Sequence, residues 1–309
     1  MKLINPSFEI YEQGPGLEGI YEAIERAGRT CYKSTRPEGQ TAKDFVDRMI
    51  ASKHYAMLEH GTVYLKIPVN IDVAGDFLDD VATWTKCKLV QEESGNWWAV
   101  TTNYRRIIEL GYQDHLQYLC EPTEFHEKRV TVRFTTDIGV SREFNRHRVD
   151  SIAEQSTRYC NFSKDKFNNE ISVCFPPEFE KDCISKTMLG NALVDYCGDP
   201  LQGLCTMISN EQTDEFTEVD YWLFANLACE YAYMNLIRLG WKPQQARRIL
   251  PLDLVTELVH TAFVSDWNHF FRLRTSIIAE TGKPHPDASA LADPLYKEFL
   301  SRGYMESLV

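Results

Sequence analysis

The run EVDYWLFANLACEYAYMNLIRLG, residues 218–240, reads as one long, strongly apolar helix stopped by Gly240. What precedes it is of mixed type. RVTVRFTTDIG sets Val130, Val132 and Phe134 in alternation with polar residues, as in a half-buried strand, and GTVYLKIPV alternates in the same way. TAKDFVDRMIASKH instead spaces Phe45, Met49 and Ile50 as a helix does. Strands and helices follow one another without regular β-α-β repeats, so the expected class is α+β, a mixed antiparallel sheet with long helices. With 309 residues, 43% hydrophobic and 12% aromatic, the chain can bury one large core or two modest ones.

The opening LINPSFEIYEQ reads as a strand, followed by the turn GPGLEG and a helix through IYEAIERAGR. Gly14, Gly16 and Gly19 stand in G-x-G-x-x-G spacing. A dinucleotide fingerprint also needs a following parallel strand with an acidic end, and RTCYKSTRPEGQ is polar and turn-rich, so a tight turn into a helix is the better reading. Within residues 70–128, NIDVAGDFLDDVATWTKC reads as helix, EESGN as loop and TTNYRRIIELG as helix, together an insertion packed on the core of a single domain spanning 1–309. Ile107 and Ile108 read as core, Arg105 and Arg106 as a solvated face, and Trp97 and Trp98 as packing residues. EISVCFPP offers a short strand. PQQARRIL is a short helix that must end before Pro251. SDWNHFFRLR is a helix with Ser265 as its cap, and DASALADPLYKEFLSRG a last one.

Several classes are disfavoured. MKLINPSFEIYEQ has no apolar core of signal-peptide length, and no stretch approaches the roughly 18 apolar residues of a membrane span, so a soluble cytoplasmic protein is expected. Nine cysteines, an odd count at 31, 87, 120, 160, 174, 183, 197, 205 and 229 with no C-x-x-C pair, read as reduced thiols. His60, His115, His126, His260 and His285 show no metal-ligand spacing, so no metal is expected. A net charge of −12 repels polyanions unless basic residues gather on one face.

They gather in residues 142–160, REFNRHRVDSIAEQSTRYC. Arg142, Arg146, His147, Arg148 and Arg158 interleave there with Ser151, Glu154, Gln155 and Ser156. If helix persists to Arg148, Arg142 and Arg146 share one face while Glu143 and His147 share the next, so two faces could serve two ligands. One such arginine would be read as complementing a helix dipole. The set is a dense array of planar guanidiniums and hydroxyls suited to a phosphate and a pyrimidine edge.

Arg146-His147-Arg148, seven residues, then Ser156, Arg158 and Tyr159 resembles the signature of the flavin-dependent thymidylate synthases, the ThyX family. KHYAMLEH before it, and ARRILPLDL and NHFFRLR after it, extend the resemblance over roughly 20–69 and 129–280. The resemblance implies that fold, a homotetramer with active sites between subunits, and reductive methylation of dUMP to dTMP. Methylenetetrahydrofolate would be the carbon donor and FAD, reduced by NADPH, the hydride source. It implies FAD contacts from Arg146, His147, Arg148, Glu154, His54 and Glu59. It implies dUMP contacts from Glu143, Arg146, Glu154, Gln155, Ser156, Thr157, Arg158, Arg247 and Arg274, of which Arg146 and Glu143 would reach a nucleotide held mainly by another subunit. Arg158 and Arg274 are the expected catalytic residues, Arg274 set against N3 of the uracil to favour its anionic form. No cysteine follows proline or precedes histidine, so Ser156 is expected as a ligand and not a nucleophile.

The sequence departs from the family at Ala56, where H-x-S-x-x-E-H carries serine, and at Cys31, often serine. It departs again at Phe263 and Ser265, where the family often carries Asn and Arg; His269 is the candidate for one of those flavin contacts. These departures leave open a nucleotide-binding homologue that has lost catalysis. A second rival is a nucleic-acid-binding protein using REFNRHR as a recognition helix, against which the acidic balance argues.

Overall fold

The computed structural model describes residues 1–69, 73–93, 95–179, 205, 216–280 and 282–307; Cys183 and Cys197 lie outside the described residues. The elements are β1 (Lys2–Ile4), β2 (Ser7–Tyr11), α1 (Gly16–Tyr32), α2 (Ala42–Ala51), β3 (Thr62–Pro68), α3 (Val73–Val81), β4 (Lys86–Val90), β5 (Trp97–Asn103) and α4 (Tyr104–Glu109). They continue as β6 (Arg129–Asp137), α5 (Ile138–Phe144), β7 (Ser151–Glu154), β8 (Ser172–Cys174), α6 (Glu218–Arg238), α7 (Pro243–Ala246), β9 (Val255–Phe263), α8 (Val264–Arg274) and α9 (Pro286–Ser301). The fold is α+β. Its chain divides into two compact units, one of Met1–Pro6, Thr135–Glu143 and Ser156–Thr256, the other of Ser7–Phe134, Phe144–Gln155 and Glu257–Val309.

In the first unit β1 pairs in parallel with β8, Leu3 opposite Val173. The long apolar helix is α6, started by a capping box between Thr217 and Asp220. Its chain reverses at Gly240, whose φ of 94° is the left-handed value glycine tolerates best. Tyr233 of α6 is fully buried with Phe162, Ile171, Val173 and Leu254.

The second unit holds two sheets. One is four-stranded in the order β2-β6-β9-β7, with β7 antiparallel to β9. The other is β3-β5-β4, antiparallel throughout. Ile20 and Ile24 of α1 and Phe45 and Val46 of α2 are buried with Leu58, Val63, Leu65 and Val100. A capping box between Thr41 and Asp44 starts α2. A second, aromatic cluster joins Phe134, Phe144, Trp267, Phe270, Phe271 and Phe299 through ring contacts of 4.9 to 6.3 Å.

Three expectations need correction. The opening segment is not one strand: Pro6, which has no N–H to donate, separates β1 from β2, and the two join different sheets. In the 70–128 segment the helix stops at Val81, and Lys86–Val90 is a strand hydrogen-bonded to Trp97–Asn103, which itself pairs with β3. That segment therefore completes a sheet begun by β3. PQQARRIL is the short helix expected, one α turn, Pro243–Ala246, continued by a 3-10 turn through Ile249, and it ends before Pro251. Helix α8 starts two residues earlier than a Ser265 cap would set it, at Val264 after Phe263, so Ser265 lies inside it, and its N–H is received by the Glu127 carboxylate at 3.2 Å.

Candidate functional site

In the first unit, the chain after β7 turns sharply at Ser156: the Cys160 N–H donates to the Ser156 carbonyl at 2.9 Å and the Arg158 N–H to Ser156 Oγ at 3.3 Å. This turn sets Thr157 and Arg158 beside the α7 region. Arg247 Nη1 donates to Thr157 Oγ1 at 3.4 Å, and Arg158 Nε to Gln244 Oε1 at 3.3 Å. Both guanidiniums are exposed, so the sequence-predicted Ser156, Thr157, Arg158 and Arg247 form one cluster of forked donors and hydroxyls. Such a set matches the oxygens of a phosphate. Gln244 was not anticipated; it is read only from its hold on Arg158, 86 residues away in sequence.

In the second unit, Arg274 closes α8 and its Nε donates to His147 Nε2 at 3.3 Å. The His147 ring is buried against Phe270, centroids 4.9 Å apart, with His269 at 5.7 Å. Burial, and next the Arg274 charge, push the His147 pKa down to about 3. The imidazole is therefore neutral at ordinary pH. With Nε2 accepting from arginine, its own proton belongs on Nδ1.

Helix α5 ends at Phe144, so the shared-face reading through Arg148 fails. The physical reason is local: the His147 N–H bonds back to the Phe144 carbonyl and the Asp150 N–H to that of His147, turns that replace helix. Those turns bury His147 and leave Arg146 and Arg148 exposed, without a carboxylate partner among the described residues. Glu154, on the edge strand β7, receives Asn145 Nδ2 at 2.9 Å. Gln155 is buried and extends the β9 ladder by its N–H to Glu257.

The His54 block forms a 3-10 turn, Tyr55–His60, after α2. His54, Ala56 and Cys31 line a cavity of about 400 Å³ together with Lys53 and Arg105. Its size falls within the range of about 300–1,000 Å³ usual for small-molecule sites. Glu59 is paired with Arg105 at 2.6 Å. The face of Arg105 and Arg106 is half-buried and tied down: Arg105 is held between Glu59 and Glu109, and Arg106 donates to the Asp80 carbonyl at 2.9 Å.

Phe263 is 5% exposed, with the Arg129 and Lys86 cations 5.5 and 5.6 Å from its ring. Arg129, itself buried, donates to the Glu59 carbonyl, Thr62 and Ser151. Beside it lies a buried polar chain in which His60 Nδ1 meets Thr261 Oγ1 and that hydroxyl meets Thr131 Oγ1, both at 2.9 Å.

None of the curated proteins matches the sequence. Among the solved structures that resemble the chain are two of the UMP/dUMP methylase PolB from Streptomyces cacaoi. One, bound with 5-Br dUMP, has a TM-score of 0.42 at 14% identity over 97% of this chain and 93% of that chain. The other, bound with 5-Br UMP, has a TM-score of 0.40 at 14% identity over 97% and 92%. The family described as thymidylate synthase complementing protein matches residues 98–300, a span that takes in the R-H-R block, the turn at Ser156, Arg247 and Arg274, and the chain belongs to that family.

Proposed function

We propose that this protein is a flavin-dependent thymidylate synthase that methylates dUMP reductively to dTMP, with methylenetetrahydrofolate as carbon donor. The observation that carries the reading is the bond from Arg274 to a neutral His147, which joins two separated blocks of the family resemblance. The guanidinium is oriented by an acceptor that carries no charge of its own. Set against N3 and the adjacent carbonyl of uracil, it would stabilise the anionic ring and raise electron density at C5, the carbon to be methylated.

The donors of Ser156, Thr157 and the exposed Arg158 and Arg247 suit the phosphate end of dUMP, and Glu143, Arg146, Glu154 and Gln155 complete the proposed nucleotide ligands. Arg146, His147, Arg148, Glu154, His54, Glu59 and His269 are the proposed FAD side. The cavity at His54, lined by Lys53 and Arg105 and otherwise largely apolar, suits part of such a cofactor. FAD, once reduced by NADPH, would supply the hydride; the protein's task is positioning and exclusion of water. A homotetramer with shared sites belongs to the same proposal.

The test is direct. Purified protein given FAD, NADPH, methylenetetrahydrofolate and dUMP should form dTMP, measured by chromatography. A preparation that binds dUMP yet forms none would favour the homologue without catalysis.

A further inference from the structure

The cavity beside His54 has a wall that the family resemblance does not supply. Arg105, the second residue of α4, lies 46 residues beyond Glu59 in sequence yet donates Nη1 to its carboxylate at 2.6 Å. Its Nε and Nη2 donate to Glu109 at 2.9 and 3.2 Å. A guanidinium carries five N–H groups in one plane, and three of them are here engaged by two carboxylates. The plane is therefore fixed, two N–H groups remain, and the side chain, 26% exposed, lines the cavity.

Two adjacent carboxylates also cancel the charge of Arg105, which makes it a weak trap for a phosphate. A fixed, delocalised plane is by contrast a good platform for an aromatic ring. The other walls agree with a ring. Tyr32, Met49, Met57 and Ala56 line the same cavity, and thioethers make favourable contacts with aromatic edges.

We propose, on the basis of the flavin reading above, that Arg105 is the stacking platform of this cavity, receiving a heteroaromatic ring system of FAD on its guanidinium. Glu59 then acts through Arg105 as a positioning residue, as does Glu109. The assignment replaces a direct flavin contact from Glu59.

FAD-free protein titrated with FAD, followed by flavin fluorescence, tests this. Arg105→Ala should weaken FAD binding by about tenfold or more. Arg105→Lys keeps the charge and can still meet Glu59, so it should fold, but it lacks the plane and should weaken FAD binding nearly as much. The dUMP affinity of the same preparations serves as the check that the variants are folded. Glu59→Gln should weaken FAD binding in the wild-type background and add nothing in Arg105→Ala. Wild-type affinity in Arg105→Ala, full affinity in Arg105→Lys, or an added loss from Glu59→Gln in Arg105→Ala would each overturn the proposal. A wild-type protein that binds dUMP but no FAD would instead remove the flavin reading, and this proposal with it.

Discussion

His147 presents an uncharged imidazole to Arg274 because burial holds its pKa near 3, far below the usual 6.5. The bond orients Arg274 through an acceptor that carries no negative charge. Arg274→Ala should therefore lower kcat by about 10²- to 10³-fold, the loss typical of removing one preorganised donor from an active site. Arg274→Lys, which restores charge but not the planar fork, should recover only part of that loss. Steady-state dTMP formation at saturating dUMP measures both; a normal kcat in Arg274→Ala would falsify the catalytic role. A second buried imidazole bears on stability. His60 is 1% exposed, and burial, with Arg129 next, brings its pKa down to about 3. Between pH 6.5 and 3 the unfolded chain binds a proton at this site that the folded chain does not, so the contribution of neutral His60 is complete above 6.5 and is lost as pH falls through that window. One such proton corresponds to about 1.4 kcal/mol per pH unit, so acidification from pH 7.5 to 5 should cost about 2 kcal/mol through His60. Denaturant midpoints of wild type and His60→Asn at the two pH values should differ in slope, and parallel slopes would exclude His60 as the carrier.

At the level of elements, the loop before α1 shows how a motif can be structural. A Cβ placed on Gly19 would lie 1.8 Å from the Gly14 carbonyl oxygen and 2.1 Å from its carbon, backbone atoms that cannot move aside cheaply. Gly16 has open space around it, but its φ of 63° disfavours any side chain. Gly19→Ala should consequently cost about 3 kcal/mol by overpacking, against about 1 kcal/mol for the αL strain of Gly16→Ala; thermal unfolding should rank them in that order. The order would reverse if only backbone angle mattered. Helices with a clear period and cap, such as α2 with Thr41 and Asp44, were legible in the sequence because the information is local. Strand β4 was not: its residues Lys86, Cys87, Lys88 and Leu89 are exposed, and only pairing with β5 makes them a strand. The site divides in the same way. Arg146-His147-Arg148 and Ser156 stand together in sequence, whereas Arg105 and Gln244 gain meaning only through Glu59 and Arg158, 46 and 86 residues distant along the chain.

For the whole molecule, the proposed tetramer makes a claim about how residues combine that no single chain can express. On the family resemblance, Arg146 of one subunit serves a nucleotide held mainly by another, whose phosphate would meet Arg247. Arg146→Ala and Arg247→Ala homotetramers should each be nearly inactive. If the two arginines of one site come from different subunits, mixed tetramers contain some sites with both arginines intact and others with neither. Unfolding the two variants together and refolding them should then restore part of the dTMP-forming activity, up to roughly a quarter of the wild-type level when mixing is statistical and the sites act independently. If both arginines come from one subunit, every site keeps one defect and no mixture regains activity. The mass of the assembly must be measured alongside by light scattering, since a monomer that forms dTMP would make the shared-site argument moot. Acidic net charge adds a condition on the experiment: at −12 per chain, four copies repel one another, and about 0.15 M salt, with a Debye length near 8 Å, screens that repulsion enough for exchange during refolding.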